Sequence, residues 1–194
     1  MTKVGFKRAT IGVFDETGSL VDSHVFEGQT NEGASTSAEI TGLSKEPVRV
    51  YGSDISYYVS QRGTGDVSVA LSLLDAPEEF TDKILGYEVS TDGISFVGEA
   101  TDAPYCSLLL ESSNLKGDTV LLGFFKGKFT KDGETINTLT NETYTPEPDL
   151  FTFSAVTETK SGEANGQILG KYAGGDEEAI TKLKNLVVAT VPAG

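Results

Sequence analysis

Asp118-Thr119-Val120-Leu121-Leu122-Gly123-Phe124-Phe125-Lys126-Gly127-Lys128-Phe129-Thr130-Lys131 is the stretch on which the fold turns. Its period-two alternation predicts one long β-strand. Leu121, Phe125 and Phe129 fall on one face, and Val120, Leu122 and Phe124 on the other. A half-solvated strand is apolar on one side only. A strand apolar on both sides at its start sits between two packed layers.

The neighbouring segments repeat the alternation. Ile11 and Val13 alternate with polar or small residues, and Asp15-Glu16-Thr17-Gly18 supplies a turn. Ala34, Thr36, Ala38 and Ile40 point one way, against Ser35, Ser37, Glu39 and Thr41. Val67, Val69, Leu71 and Leu73 form the cleanest apolar face, opposite Ser68, Ala70 and Ser72. Lys131-Asp132-Gly133-Glu134 reads as a hairpin turn with 135–140 as the returning strand. Further strands are expected over 150–156 and 166–172. Pro146-Glu147-Pro148 is a stiff extended connector.

Two segments break the β pattern. Asp75, Pro77, Glu78 and Glu79 predict a helix start, with a capping side chain, a first-turn proline and acids facing the dipole. Phe80, Ile84 and Tyr87 share one face of that helix, which Gly86 ends. A second helix runs from Asp176, with Ile180, Leu183 and Val187 in one stripe. The expected fold class is mainly β: a β-sandwich, barrel-like, with one flanking α-helix and a C-terminal helix. One domain is expected over 1–194, with an extended arm or loop at about 44–62 and a C-terminal segment at 174–194.

The 194 residues suffice for a substantial core, and 38% hydrophobic with 23% charged residues is a globular composition. The formal charge of -14 opposes tight nucleic-acid binding, which uses Lys and Arg to displace counterions from phosphates. The same charge serves solubility, or lets DNA slide past without sticking. The first residues, Met1-Thr2-Lys3-Val4-Gly5-Phe6-Lys7-Arg8, hold no apolar run of the signal-peptide kind, and no membrane span is expected. A lone Cys106 excludes an internal disulfide framework, so synthesis in a cytoplasm is expected.

Catalytic chemistry is sparse. His24 is the single histidine and reads as an edge or surface residue, while Cys106 reads as a small buried apolar one. Two such residues fall short of an ordinary zinc site. Asp132-Gly133-Glu134 lacks the spaced oxygens of a calcium loop. The run from Gly123 to Phe129 lacks the spacing and final hydroxyl of a phosphate loop. Chance carboxylate pairs are expected among 29 acids, and the chain has no tryptophan for sugar stacking. Asn141-Glu142-Thr143 is a glycosylation sequon of the accidental kind in a protein without an export signal. No enzyme, cofactor or metal site is expected.

Val4-Gly5-Phe6-Lys7-Arg8 and Gly12-Val13-Phe14 resemble the opening of major tail proteins of siphophages infecting Gram-positive bacteria. In the same order follow Ile40-Thr41-Gly42-Leu43, Gly63-Thr64-Gly65, Leu71-Ser72-Leu73, Ile84-Leu85-Gly86, Val97-Gly98-Glu99 and Ala103-Pro104-Tyr105. Lys126-Gly127-Lys128-Phe129, Pro146-Glu147-Pro148 and Tyr172 complete the series. Phe96 stands where that family leads one to expect tryptophan, and the last twenty residues match less closely. The resemblance implies a virion tail tube protein without catalytic residues, assembled as stacked hexameric rings whose strands join into a barrel around a lumen. Implied partners are further copies of itself, a tape measure protein inside the tube, tail terminator and distal tail or baseplate proteins at its ends, and double-stranded DNA in transit. No membrane is involved.

Two surfaces are candidates for that work. Ser35, Ser37 and Glu39, with Asp66, Ser68 and Ser72, offer a small, polar, acidic face suited to a lumen, or an ordinary solvated face. The 44–62 segment carries Tyr51, Gly52, Tyr57 and Tyr58, either as an inter-ring loop or as a hairpin packed on its own domain. The competing functions are a secreted or surface β-sandwich binding module of adhesin type, the tube protein of a contractile secretion system, and an enzyme using acidic pairs.

Overall fold

The computed structural model describes residues 2–138, 141, 143 and 145–188. Twelve strands and two helices follow in the order β1 (Lys3–Phe14), β2 (Leu20–Gln29), β3 (Gly33–Thr41), β4 (Val48–Gly52), β5 (Ile55–Ser60), β6 (Ser68–Leu74), α1 (Glu78–Leu85), β7 (Glu88–Val89), β8 (Ser95–Phe96), β9 (Cys106–Asn114), β10 (Thr119–Thr130), β11 (Asp149–Val156), β12 (Leu169–Gly174) and α2 (Glu177–Val187). The main sheet runs β11-β6-β3-β2-β1-β9-β10-β12, and a further β11–β10 pairing closes it into a ring.

Every pairing in that ring of seven strands is antiparallel. Strand direction cannot alternate around a single cylinder when the number of strands is odd. The ring therefore turns corners and forms a two-layered sandwich. One corner lies in β10, whose register with β9 shifts between Phe124 and Gly127. The first half of β10 pairs with β9 and β12, and its second half with β11. The other corner is the β2–β3 hairpin, paired only at Glu27↔Ala34 and Gln29↔Gly33 before the strands part.

The mainly β expectation holds, and β10 is the central strand foreseen. Leu122 and Phe124 face the main core between the layers, where Ile11, Phe26, Leu71, Leu108, Phe151 and Phe153 are fully or almost fully buried. Leu121 and Phe125 face the opposite way, into a second cluster with Leu183 and Val187 of α2. Phe129 is a correction: it joins the main core rather than the Leu121 face. The irregularity after Phe124 shifts the alternation by one residue, which reverses every later side chain.

The strand returning along β10 is β11, with Phe129↔Phe153 and Thr130↔Thr152, rather than 135–140. Residues 131–138 form no strand, Ile136 is 92% exposed, and positions 139 and 140 lie outside the described residues. Phe151 and Phe153 bury far more apolar surface than one aliphatic could, so β11 wins the position. The strand expected over 166–172 begins later, at Leu169.

α1 covers one end of the sandwich, burying Phe80, Ile84 and Leu85. Its cap differs from expectation. Pro77 is the N-cap residue, while Asp75 turns the chain out of β6 with φ of 50° and contributes no capping bond. Gly86 ends the helix in the left-handed conformation, as its sequence position suggested. α2 begins as expected, the Asp176 carboxylate accepting from the Glu178 amide at 3.0 Å.

Candidate functional site

The first surface is the outer face of the layer β3–β6–β11–β10. Cross-strand register places Ser37 beside Ser72 and Leu150. The next row is Glu39, Ala70, Thr152 and Thr130, and the next Thr41, Ser68, Ser154 and Lys128. Seven of these eleven positions are small hydroxyl residues, interrupted by Leu150, Glu39, Ala70 and Lys128, and the alternate positions of each strand supply the core beneath. Sequence alternation found Ser37, Glu39, Ser68 and Ser72. It could not find Thr152 and Ser154, whose strand enters this layer only by displacing the expected hairpin.

Ser35 does not share the face of Ser37. Ser35 pairs with Leu73 and Ser37 with Ser72, so Thr36 is an extra residue, and its hydroxyl donates to the Ser72 carbonyl at 3.1 Å. The bulge turns Ser35 to the opposite side, where its hydroxyl donates to the Phe26 carbonyl at 3.3 Å. Asp66 is exposed at the margin of the wall, just before β6. Lys128 pairs with Asp102 at 2.5 Å, and Lys126 lies 4.2 Å from the Tyr105 ring centroid.

Among the described residues this layer is unpaired along part of both its edges. Beyond the hairpin end, β3 has no strand on its β2 side from 35 to 41 among the described residues. On the far side, β9 accompanies β10 only as far as Gly127, leaving 128–130 unpaired on that edge.

The second surface is the β4–β5 hairpin. Ser53 and Asp54, with φ of 51° and 60°, form a tight two-residue turn of the kind that matches strand twist. Val48, Val50, Tyr51, Ile55, Tyr57 and Tyr58 are each at least half exposed, Tyr57 reaching 79%. A hairpin packed on its own domain would bury one of its faces, and neither face is buried here. Among the described residues the side chains of both hairpin faces are thus exposed.

Other polar groups serve the fold. Glu111 is 8% exposed and binds Arg8 and Lys184, each at 3.0 Å, joining β1, β9 and α2. Burial pushes its carboxyl up, but hydrogen bonds from Arg8 and Lys184 outweigh this and hold it below the usual range. Arg8 also reaches Glu27 at 3.0 Å. Cys106 is fully buried, and burial pushes its thiol up to about 12. The His24 ring packs 4.5 Å from that of Phe26 and 5.0 Å from that of Phe80. His24 and Cys106 are thus core and packing residues. No three potential metal ligands converge among the described residues. No helix there is long and apolar enough to cross a membrane.

A sandwich with a hydroxyl-covered, open-edged layer and an apolar arm held in solvent has the surfaces of a structural protein that assembles with others. A model of the phage tail tube protein family matches residues 1–185, and the chain belongs to that family. It is accordingly a structural protein of the bacteriophage virion, located in the tail and self-assembling into its tube. No curated protein sequence matches the chain significantly.

Proposed function

We propose that the chain forms hexameric rings that stack into the tail tube of a siphophage of Gram-positive bacteria, through which double-stranded DNA passes during ejection. The observation that carries this reading is the layer β3–β6–β11–β10, covered mostly with hydroxyls and, among the described residues, unpaired along part of both edges. An open β-sheet edge is a template for another strand, and a ring of copies joining edge to edge leaves no edge free. Ser37, Glu39, Ser68 and Ser72 then line the lumen, joined by Thr152 and Ser154, with Asp66 at its margin. A wall mostly of small hydroxyls offers DNA few fixed positive charges on which to lodge, and Lys128 on the same face is paired with Asp102. Ser35 is not part of this assignment, because its side chain lies beneath the wall.

The arm supports the stacking half of the proposal. Tyr51, Tyr57 and Tyr58 present large areas with little side-chain entropy to lose on contact. A tape measure protein occupies the lumen during assembly on this reading, with terminator and distal tail or baseplate proteins at the ends. Host, siphophage type and ring number follow the resemblance of the residue series.

Negative-stain electron microscopy of the purified chain over a concentration series tests the proposal. The expected result is rings with sixfold symmetry and hollow tubes that lengthen with concentration. Rings of another order would refute the hexamer. Monodisperse monomers at all concentrations, even with tail initiator proteins added, would refute the assembly scheme.

A further inference from the structure

We infer that the β4–β5 arm of one copy seats in the groove between α1 and β7–β8 of the copy stacked against it. This rests on the stacked-tube reading and names the surface that receives the arm. The arm connects the C-terminal end of β3 to the N-terminal end of β6, whereas α1 follows from the C-terminal end of β6. The two devices therefore leave opposite ends of the same strand. A donor at one end and an acceptor at the other make a heterologous contact, which propagates along an axis rather than closing on itself.

The groove is about 620 Å³ and is lined by Glu78, Glu79, Asp82, Tyr87 and Val89, with Lys83 also present but paired with Asp22, and with Ser95 donating a hydrogen bond to Asp82 across it. The β7–β8 hairpin that forms its outer wall carries three exposed apolar side chains: Val89 is 52% exposed, Ile94 55% and Phe96 56%. Exposed apolar residues thus occur at both ends of the subunit, neither set covered by the described residues.

Charge selects the pairing. Residues 78–99 carry six carboxylates against one lysine. The 44–62 segment carries Lys45, Arg49 and Arg62 against two carboxylates, an excess of cations in a chain of net charge -14. Among the described residues, Lys45, Arg49 and Arg62 form no ion pair. Within the arm Arg49 offsets Asp54 at the turn, while Lys45 and Arg62 flank its base, so the tyrosines and the segment's small excess of cations complement an acidic, apolar-rimmed groove.

The double variant Tyr57→Cys with Val89→Cys, assembled and treated with a short bismaleimide, tests this. The native Cys106 is buried and does not compete. The expected product is a ladder of covalent multimers, because each copy links onward at both ends; either single variant gives no ladder. Independently, Val89→Asp should raise the concentration needed for tube growth at least tenfold. Both positions are exposed, so unchanged thermal unfolding would verify the fold. Tubes of normal length that yield no ladder, with Val89→Asp growing like the parent, would overturn the inference and leave the tube reading standing. A parent chain that never builds rings or tubes would remove the reading and the inference together.

Discussion

Replacing Leu121 by alanine deletes three carbons from a side chain with no solvent exposure, packed between the sheet and α2 with Phe125, Leu183 and Val187. Gly123, two residues on, lets Val187 approach the strand so closely that a methyl group there would overlap it. With neighbours held this tightly, the cavity cannot collapse fully. The cost should be about 2–5 kcal/mol. For a chain of this length each kcal/mol lowers the melting temperature by roughly 2–4 °C, so a loss of about 3 kcal/mol corresponds to a fall of ~6–12 °C. Leu186→Ala is the control, since Leu186 lies on the same helix but is 39% exposed. Its cost should stay within about 0.5 kcal/mol. Urea unfolding of both variants, with Leu183→Ala and Leu121→Ala/Leu183→Ala added, reads the contact directly. The two buried deletions share one cluster and should be non-additive by roughly 0.5–3 kcal/mol. Equal losses for Leu121→Ala and Leu186→Ala, or strict additivity in the double variant, would refute the docking of α2 on this face.

Glu111→Gln removes the carboxylate shared by Arg8 and Lys184, whose side chains are 36% and 34% exposed, so solvent tempers the cost to about 1–2 kcal/mol at neutral pH. Because the folded state holds the Glu111 carboxyl below its ordinary 4.5, this contribution is present above that value and disappears as pH falls through the lower folded one. Denaturation measured from pH 7 to pH 3 should show the parent losing its advantage over Glu111→Gln in that acidic window; a constant difference would refute the linkage. Glu39→Lys with Asp66→Lys should leave tubes of normal length but impair DNA delivery in an infection assay, and unaltered infectivity would sink the lumen assignment.

Local chemistry made much of the fold legible. Alternation in β1, β6 and β10 needs no knowledge of neighbours, because a strand with one buried face must be apolar at every second residue. Gly86 and Asp176 likewise act within a turn of their own helices. The tyrosines around Gly52 were visible in the sequence, but not their exposure, since Tyr57 is the same residue buried or exposed. The candidate wall was half legible. Ser37, Glu39, Ser68 and Ser72 followed from alternation, whereas Ser35 was lost to one extra residue at Thr36. Phe129 changed faces for the same reason after Phe124. Alternation carries no mark of where a bulge will fall, because that is decided by the partner strand's register. Only the tertiary structure gave β11, rather than 135–140, the place beside β10, since burial of Phe151 and Phe153 is a long-range gain that no local pattern records. The sequence by itself determined that the strands are amphipathic and that one lies between layers. Which edges remain open, and which hydroxyls share a wall, came from the closing of seven strands around two corners.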